Sequence, residues 1–255
     1  MTEPSNSTDV MCKLCGRPEP LRKSHIIPEF CYKTLYSEKH RLDKYQLSAE
    51  PVKSNHQKGF WERLFCDRCE DRFNDYETYM SNLWFSDRGL PVSVAPNTLM
   101  LRFANIDYKL FKLFHLSILF RASVASIPFF KSVALGKNEA VLRQMLLNND
   151  PGAEAEFPFL CTVLHFPTSG HVCRDIIVEP VQSHRNGKYC YTFVFAGCSW
   201  LYYGSRSGAA DMPITSCLKE NGDLQLVLQS IVEHPLTREL AFNHLKRQEE
   251  ANGAG

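Results

Sequence analysis

Two pairs of cysteines carry the first chemistry legible in this chain. Cys12-Lys-Leu-Cys15-Gly16 and Cys66-Asp-Arg-Cys69 each set two thiols apart by two intervening residues. Such a pair meets on one ion only where the backbone between its members doubles back, and a glycine directly after the first pair eases that turn. Four thiolates complete the tetrahedron that Zn²⁺ prefers in closed structural sites and leave no open position for water. Structural zinc is therefore expected in place of catalytic zinc. A redox dithiol is the alternative for either pair taken alone. The stretch between the pairs is longer than in a plain zinc ribbon, so a sub-fold must fill it. Cys31, Cys161, Cys173, Cys190, Cys198 and Cys217 have no ligand-like spacing and read as small buried residues.

A second set of residues sits around these cysteines. Leu21-Arg-Lys-Ser24-His25-Ile26-Ile27-Pro28 sets a histidine at the end of a short strand, where its ring can be held rigidly. After the second pair, Glu70, Asn74 and Glu77 fall at i, i+4 and i+7 of an expected helix, on one face, with Cys69, Phe73, Tyr76 and Met80 on the neighbouring face. Side-chain oxygens in that arrangement suit a hard divalent ion. From Cys12 to Arg68 there are 12 Lys/Arg against 7 Asp/Glu, and Arg22, Lys23 and Lys58 are among those that could line a phosphate track. A solvated face of mixed charge accounts for the same residues equally well. The next nine residues reverse the sign, with four acids and one arginine.

The order CxxC, then His-Ile-Ile-Pro, then Leu-Phe-Cys-x-x-Cys and a short polar helix resembles the HNH endonucleases of the ββα-metal class, over roughly residues 11–80. The resemblance implies an α+β chain that opens with a zinc-bound ββα domain and hydrolyses phosphodiester bonds in nucleic acid, DNA ahead of RNA. It gives His25 the role of general base and Asn74 that of ligand to a catalytic Mg²⁺ or Mn²⁺. The family's middle asparagine has Asn55 or His56 as its nearest counterparts. Where many members carry an aspartate or histidine ligand before the base, this chain has Ser24, and Glu70 or Glu77 would have to substitute. Service in bacterial defence or on a mobile element, in a cytoplasm, beside an ATPase or sensor partner, belongs to the same implication. The alternatives are a zinc-fold module that binds nucleic acid or protein without catalysis, and a structural subunit whose zinc domain contacts only protein.

These residues need a scaffold, and its outline can be read from the pattern. Of the 255 residues, 44% are hydrophobic and 22% charged, an ordinary globular composition, and the net charge of +1 creates no whole-protein field for a polyanion. Residues 1–10 are polar and read as a disordered leader with no signal-peptide core, so the cysteines are expected to be reduced. Turn formers from Ser86 to Asn97 suggest a boundary between an 11–90 zinc domain and a 97–250 α+β domain built from helices and an antiparallel sheet.

In that second part a helix capped by Asn105 runs toward Pro128, and another capped by Asn138 ends near Asn148–Gly152. Strands are expected at 157–166, 175–181, 189–195, 199–203 and 224–231, with Asn186-Gly187 as a hairpin turn, then a closing helix over 236–250. Lys109, Lys112, His115 and Arg121 interrupt the apolar run from Tyr108 to Phe130, which makes it a buried helix and not a membrane span. The P-loop, Rossmann and nucleophile-elbow glycine patterns are missing. The aromatic residues of the strands read as core and sheet face before they read as base-stacking groups.

Overall fold

The computed structural model describes residues 11–35, 59–206 and 218–238. Two short antiparallel strands, β1 (Leu21–His25) and β2 (Trp61–Cys66), are followed at once by the 18-residue helix α1 (Asp67–Trp84). Pro28 starts a 3₁₀ turn over Glu29–Leu35, so the chain leaves β1 sharply after His25. Cys69, Phe73, Tyr76, Met80 and Trp84 form the buried stripe of α1, as the three-and-four spacing requires.

The rest is β3 (Met100–Phe103), α2 (Tyr108–Val124), α3 (Lys137–Asn148), and strands β4 (Phe159–His165), β5 (Val178–Arg185), β6 (Lys188–Phe195), β7 (Cys198–Tyr203) and β8 (Leu224–Ser230). Their sheet runs β3-β8-β4-β7-β6-β5. The expected antiparallel sheet is corrected to a mixed one, because β8 pairs with β4 in parallel. After β7 the chain steps over β4, so β8 is antiparallel to β7 but parallel to the strand between them. Two tight hairpins set the register of β5-β6-β7. Asn186 and Gly187 take φ of 48° and 74°, and Ala196 and Gly197 take 52° and 84°. Positive φ at both central residues matches the twist of paired strands.

α2 is apolar nearly all round because it is buried on all sides. Phe111 meets Trp84, Phe159 and Trp200 toward the sheet, while Phe114 meets Phe30 and Phe120 meets Phe65 toward the β1–β2 hairpin. Leu14, Phe65, Phe120 and Trp200 all belong to one continuous buried cluster. The turn-rich stretch beyond α1 lies against the rest of the chain: Val92 and Val94 exchange backbone hydrogen bonds with Val172 and Gly170.

Both helix caps differ from the expectation. Asp107 Oδ1 accepts from the Leu110 amide (2.9 Å), while Asn105 takes a φ of 59° two residues earlier. α3 begins after Gly136, whose φ of 54° with ψ of −130° favours glycine, and Asn138 sits within its first turn. Among the described residues no helix is long and apolar enough to cross a membrane. The expected leader at 1–10 and all but the first three residues of the expected closing helix lie outside the described residues, as does Cys217.

Candidate metal centre

The first cysteine pair forms a closed backbone turn. Cys12 N–H donates to Arg17 O (2.9 Å) and Gly16 N–H to Cys12 O (2.8 Å), with Gly16 at a φ of 73°. A Cβ there would be strained by that φ and would also approach the Arg143 guanidinium to 2.9 Å. The second pair straddles the junction of β2 and α1, with Cys66 closing the strand and Cys69 in the helix's first turn. The Lys13 amide donates to Leu64 O (2.9 Å), which docks the first turn beside the second.

The four sulfurs consequently lie within 4.8 Å of one another. Tetrahedral zinc with Zn–S bonds of about 2.3 Å needs sulfurs about 3.8 Å apart, and Cys15 and Cys66 stand at 3.8 Å. The Cys66 amide also points at Cys12 Sγ (3.4 Å), a contact that favours a thiolate.

A hydrogen bond from Cys69 lowers the Cys12 thiol to about 4. Burial raises Cys66 to about 12, and Cys69 is raised chiefly because its proton serves Cys12. The protein alone thus stabilises a thiolate at Cys12, while Cys66 and Cys69 keep their protons unless a dication replaces them. Among the described residues, these four cysteines are the one group of three or more His, Cys, Asp or Glu side chains able to share an ion. They fit zinc.

His25 ends β1, half-buried, opposite Trp61. The helix α1 runs back along the hairpin, and its acids come to rest beside β1. Ser24, fully buried, donates its hydroxyl to Glu70. Burial raises the Glu70 carboxyl above the usual range. Glu77 is ion-paired with Arg121 of α2 at 2.5 Å. That guanidinium is 1% exposed, donates to the His25 carbonyl (2.7 Å) and lies over the Phe73 ring (4.5 Å).

Of the residues expected to hold a catalytic divalent ion, Glu70 and Glu77 thus serve as internal acceptors, and Asn74 is exposed on α1. His25 does not join them in a ligand group. The described residues therefore do not fit a catalytic Mg²⁺ or Mn²⁺ as they stand. Arg22 is exposed and paired with Asp67, and the exposed Lys23 ammonium lies 4.4 Å from the Trp61 ring centroid. Lys58, Asn55 and His56 lie outside the described residues.

Arg121 is the residue that sequence reasoning missed. A cation inside an apolar helix signals a buried partner, but that partner is on a hairpin 96 residues away in sequence. Comparison with known proteins found no matching protein-family model, no matching curated protein and no matching solved structure.

Proposed function

We propose that the chain is a zinc-stapled, HNH-type endonuclease that hydrolyses phosphodiester bonds in nucleic acid, with His25 as general base. One observation carries this reading. Two antiparallel strands and a helix are closed by four cysteines, and a histidine ends the first strand, next to Ser24, whose hydroxyl donates to Glu70 of the helix. Cys12, Cys15, Cys66 and Cys69 would hold the zinc, which supplies local folding free energy and no chemistry. His25 would take a proton from the attacking water, a task that suits an imidazole near neutral pH. The Arg121 hydrogen bond to its carbonyl fixes the backbone from which the ring projects. Arg22 and Lys23, exposed on the same strand, would meet phosphates, with Arg22 exchanging Asp67 for one.

A second reading has its own observation. Ser24 with Glu70, and Arg121 with Glu77, use both carboxylates inside the protein. That favours a zinc-fold module that binds nucleic acid without cutting it.

The test is cleavage of plasmid DNA and single-stranded RNA with Mg²⁺ or Mn²⁺, native protein against His25→Ala, at equal zinc content. Cutting lost in the variant supports the nuclease. Binding to either polymer with no cutting moves the conclusion to the binding module. Equal cutting by both proteins removes His25 from the mechanism.

A further inference from the structure

The six-stranded sheet has a second face, turned away from α2, and the side chains there alternate with those of the core. Cys161, Trp200 and Tyr202 point into the core cluster, whereas Leu160, Thr162 and Leu201 lie outside it. On this outer face the strands and the turn after β8 enclose a concavity of about 360 Å³. That is within the range of small-molecule sites.

Thr162 stands opposite Ser199 across β4 and β7, and Thr192 of β6 and Ser183 of β5 also line the space, so hydroxyls from four strands face it. Gln229 of β8 adds an amide, and Leu160 and Leu201 add apolar wall. Arg185, exposed at the end of β5, is the one permanent charge in the lining, and no Asp or Glu is present there among the described residues.

The turn over 231–238 closes one side of the concavity. His234 lines it, is 7% exposed, and its Nδ1 has no hydrogen-bond partner. Burial holds its imidazole below the usual histidine range, so it is a neutral donor or acceptor.

We infer that this concavity binds a small, hydroxyl-rich organic anion, a polyol with one terminal phosphate or carboxylate. Arg185 takes the anionic end, and the Thr and Ser hydroxyls and Gln229 exchange hydrogen bonds with the polyol. Among the described residues the lining has no carboxylate to attract a cation and no aromatic face for stacking a base, which argues for a sugar-sized body. The inference does not depend on the nuclease reading, because β1 and α1 contribute nothing to this lining.

The experiment is calorimetric titration of the full chain with ribose 5-phosphate, gluconate and inorganic phosphate. It is repeated on Arg185→Ala, at an exposed position, and on Thr192→Val, which preserves shape and strand preference. Saturable binding of ribose 5-phosphate or gluconate is expected. Arg185→Ala should weaken it about tenfold or more, and Thr192→Val about threefold or more. Three results overturn the inference: no binding of either polyol at millimolar concentration, equal binding by the variants, or inorganic phosphate binding as tightly as the ester.

Discussion

The hairpin β1–β2 and the sheet β3–β8 are both β structure, yet they persist for different reasons. The hairpin has two short strands, and a pair of that size is at best marginal alone in water. Phe65 packs against Phe120 of α2, and further attachments hold the hairpin: the cysteine cluster at one end, α1 laid along it, the Arg121 hydrogen bond to the end of β1, and Glu62 accepting from Ser126. The sheet has six strands and an inner face of large rings, with Trp200 5.4 Å from Trp84 and 4.2 Å from His115. The first region shares the common core through Leu64 and Phe65 and adds specific polar contacts and the cysteine cluster, whereas the second depends on buried area spread over many residues.

The largest effect that could break this contrast is metal removal. Structural zinc contributes roughly 10 kcal/mol or more in small domains. A chelator, or Cys69→Ser, should therefore release one zinc per chain and open the amides of β1 and β2 to hydrogen exchange while β4, β6 and β7 stay protected. Loss of protection in all strands together would mean that the hairpin and sheet unfold as one unit.

Next in size, Trp200→Ala should cost about 3–5 kcal/mol, since its ring is fully buried between α2 and the sheet. Denaturant unfolding measures the loss, and zinc content should remain at the native value if the two regions are supported independently.

Arg121→Met tests the strut between them. It strands the Glu77 carboxylate, which is 24% exposed and so partly rescued by water. The cost should be about 2 kcal/mol, below that of breaking a fully buried pair. Arg121→Met with Glu77→Gln should recover part of that, and a double variant no better than the single one would show that the His25 carbonyl contact matters more than the ion pair.

The smallest effect is a pH dependence confined to the sheet side. Burial holds His115 well below its ordinary 6.5, with Nδ1 2.8 Å from the Tyr202 hydroxyl and Nε2 unpartnered. Below pH 6.5 the unfolded chain takes a proton at this residue and the folded chain does not. Stability is thus unaffected above that pH and falls as pH drops below it, by up to about 1.4 kcal/mol per pH unit. His234, also lowered by burial, acts in the same direction. The double variant His115→Leu, Tyr202→Phe removes both partners together and should flatten this part of the acid limb. An unchanged limb would mean that His115 does not contribute to it.

Local signals carried much of this architecture. The cysteine spacings predicted the four-sulfur cluster, apolar runs and segments rich in aromatic and β-branched residues predicted most strands of the large sheet within a few residues, and Asn186-Gly187 predicted its hairpin. These features depend on neighbours a few positions apart, which any reader of the chain can see. The caps at Asp107 and Gly136 were missed because several adjacent residues can cap, and the chain's exact path chooses among them. The parallel pairing of β4 with β8 was missed because strand order is a property of the assembled sheet.

The candidate site divides along the same line. The sequence determined the ligands, the strand that ends in His25 and the helix that bears Glu70, Asn74 and Glu77. Only the tertiary structure decided what those acids do, by packing α2 against the hairpin so that Arg121 meets both Glu77 and the His25 backbone. Contacts between residues 44 to 96 positions apart are fixed by the burial of whole elements against one another, and no local pattern encodes that.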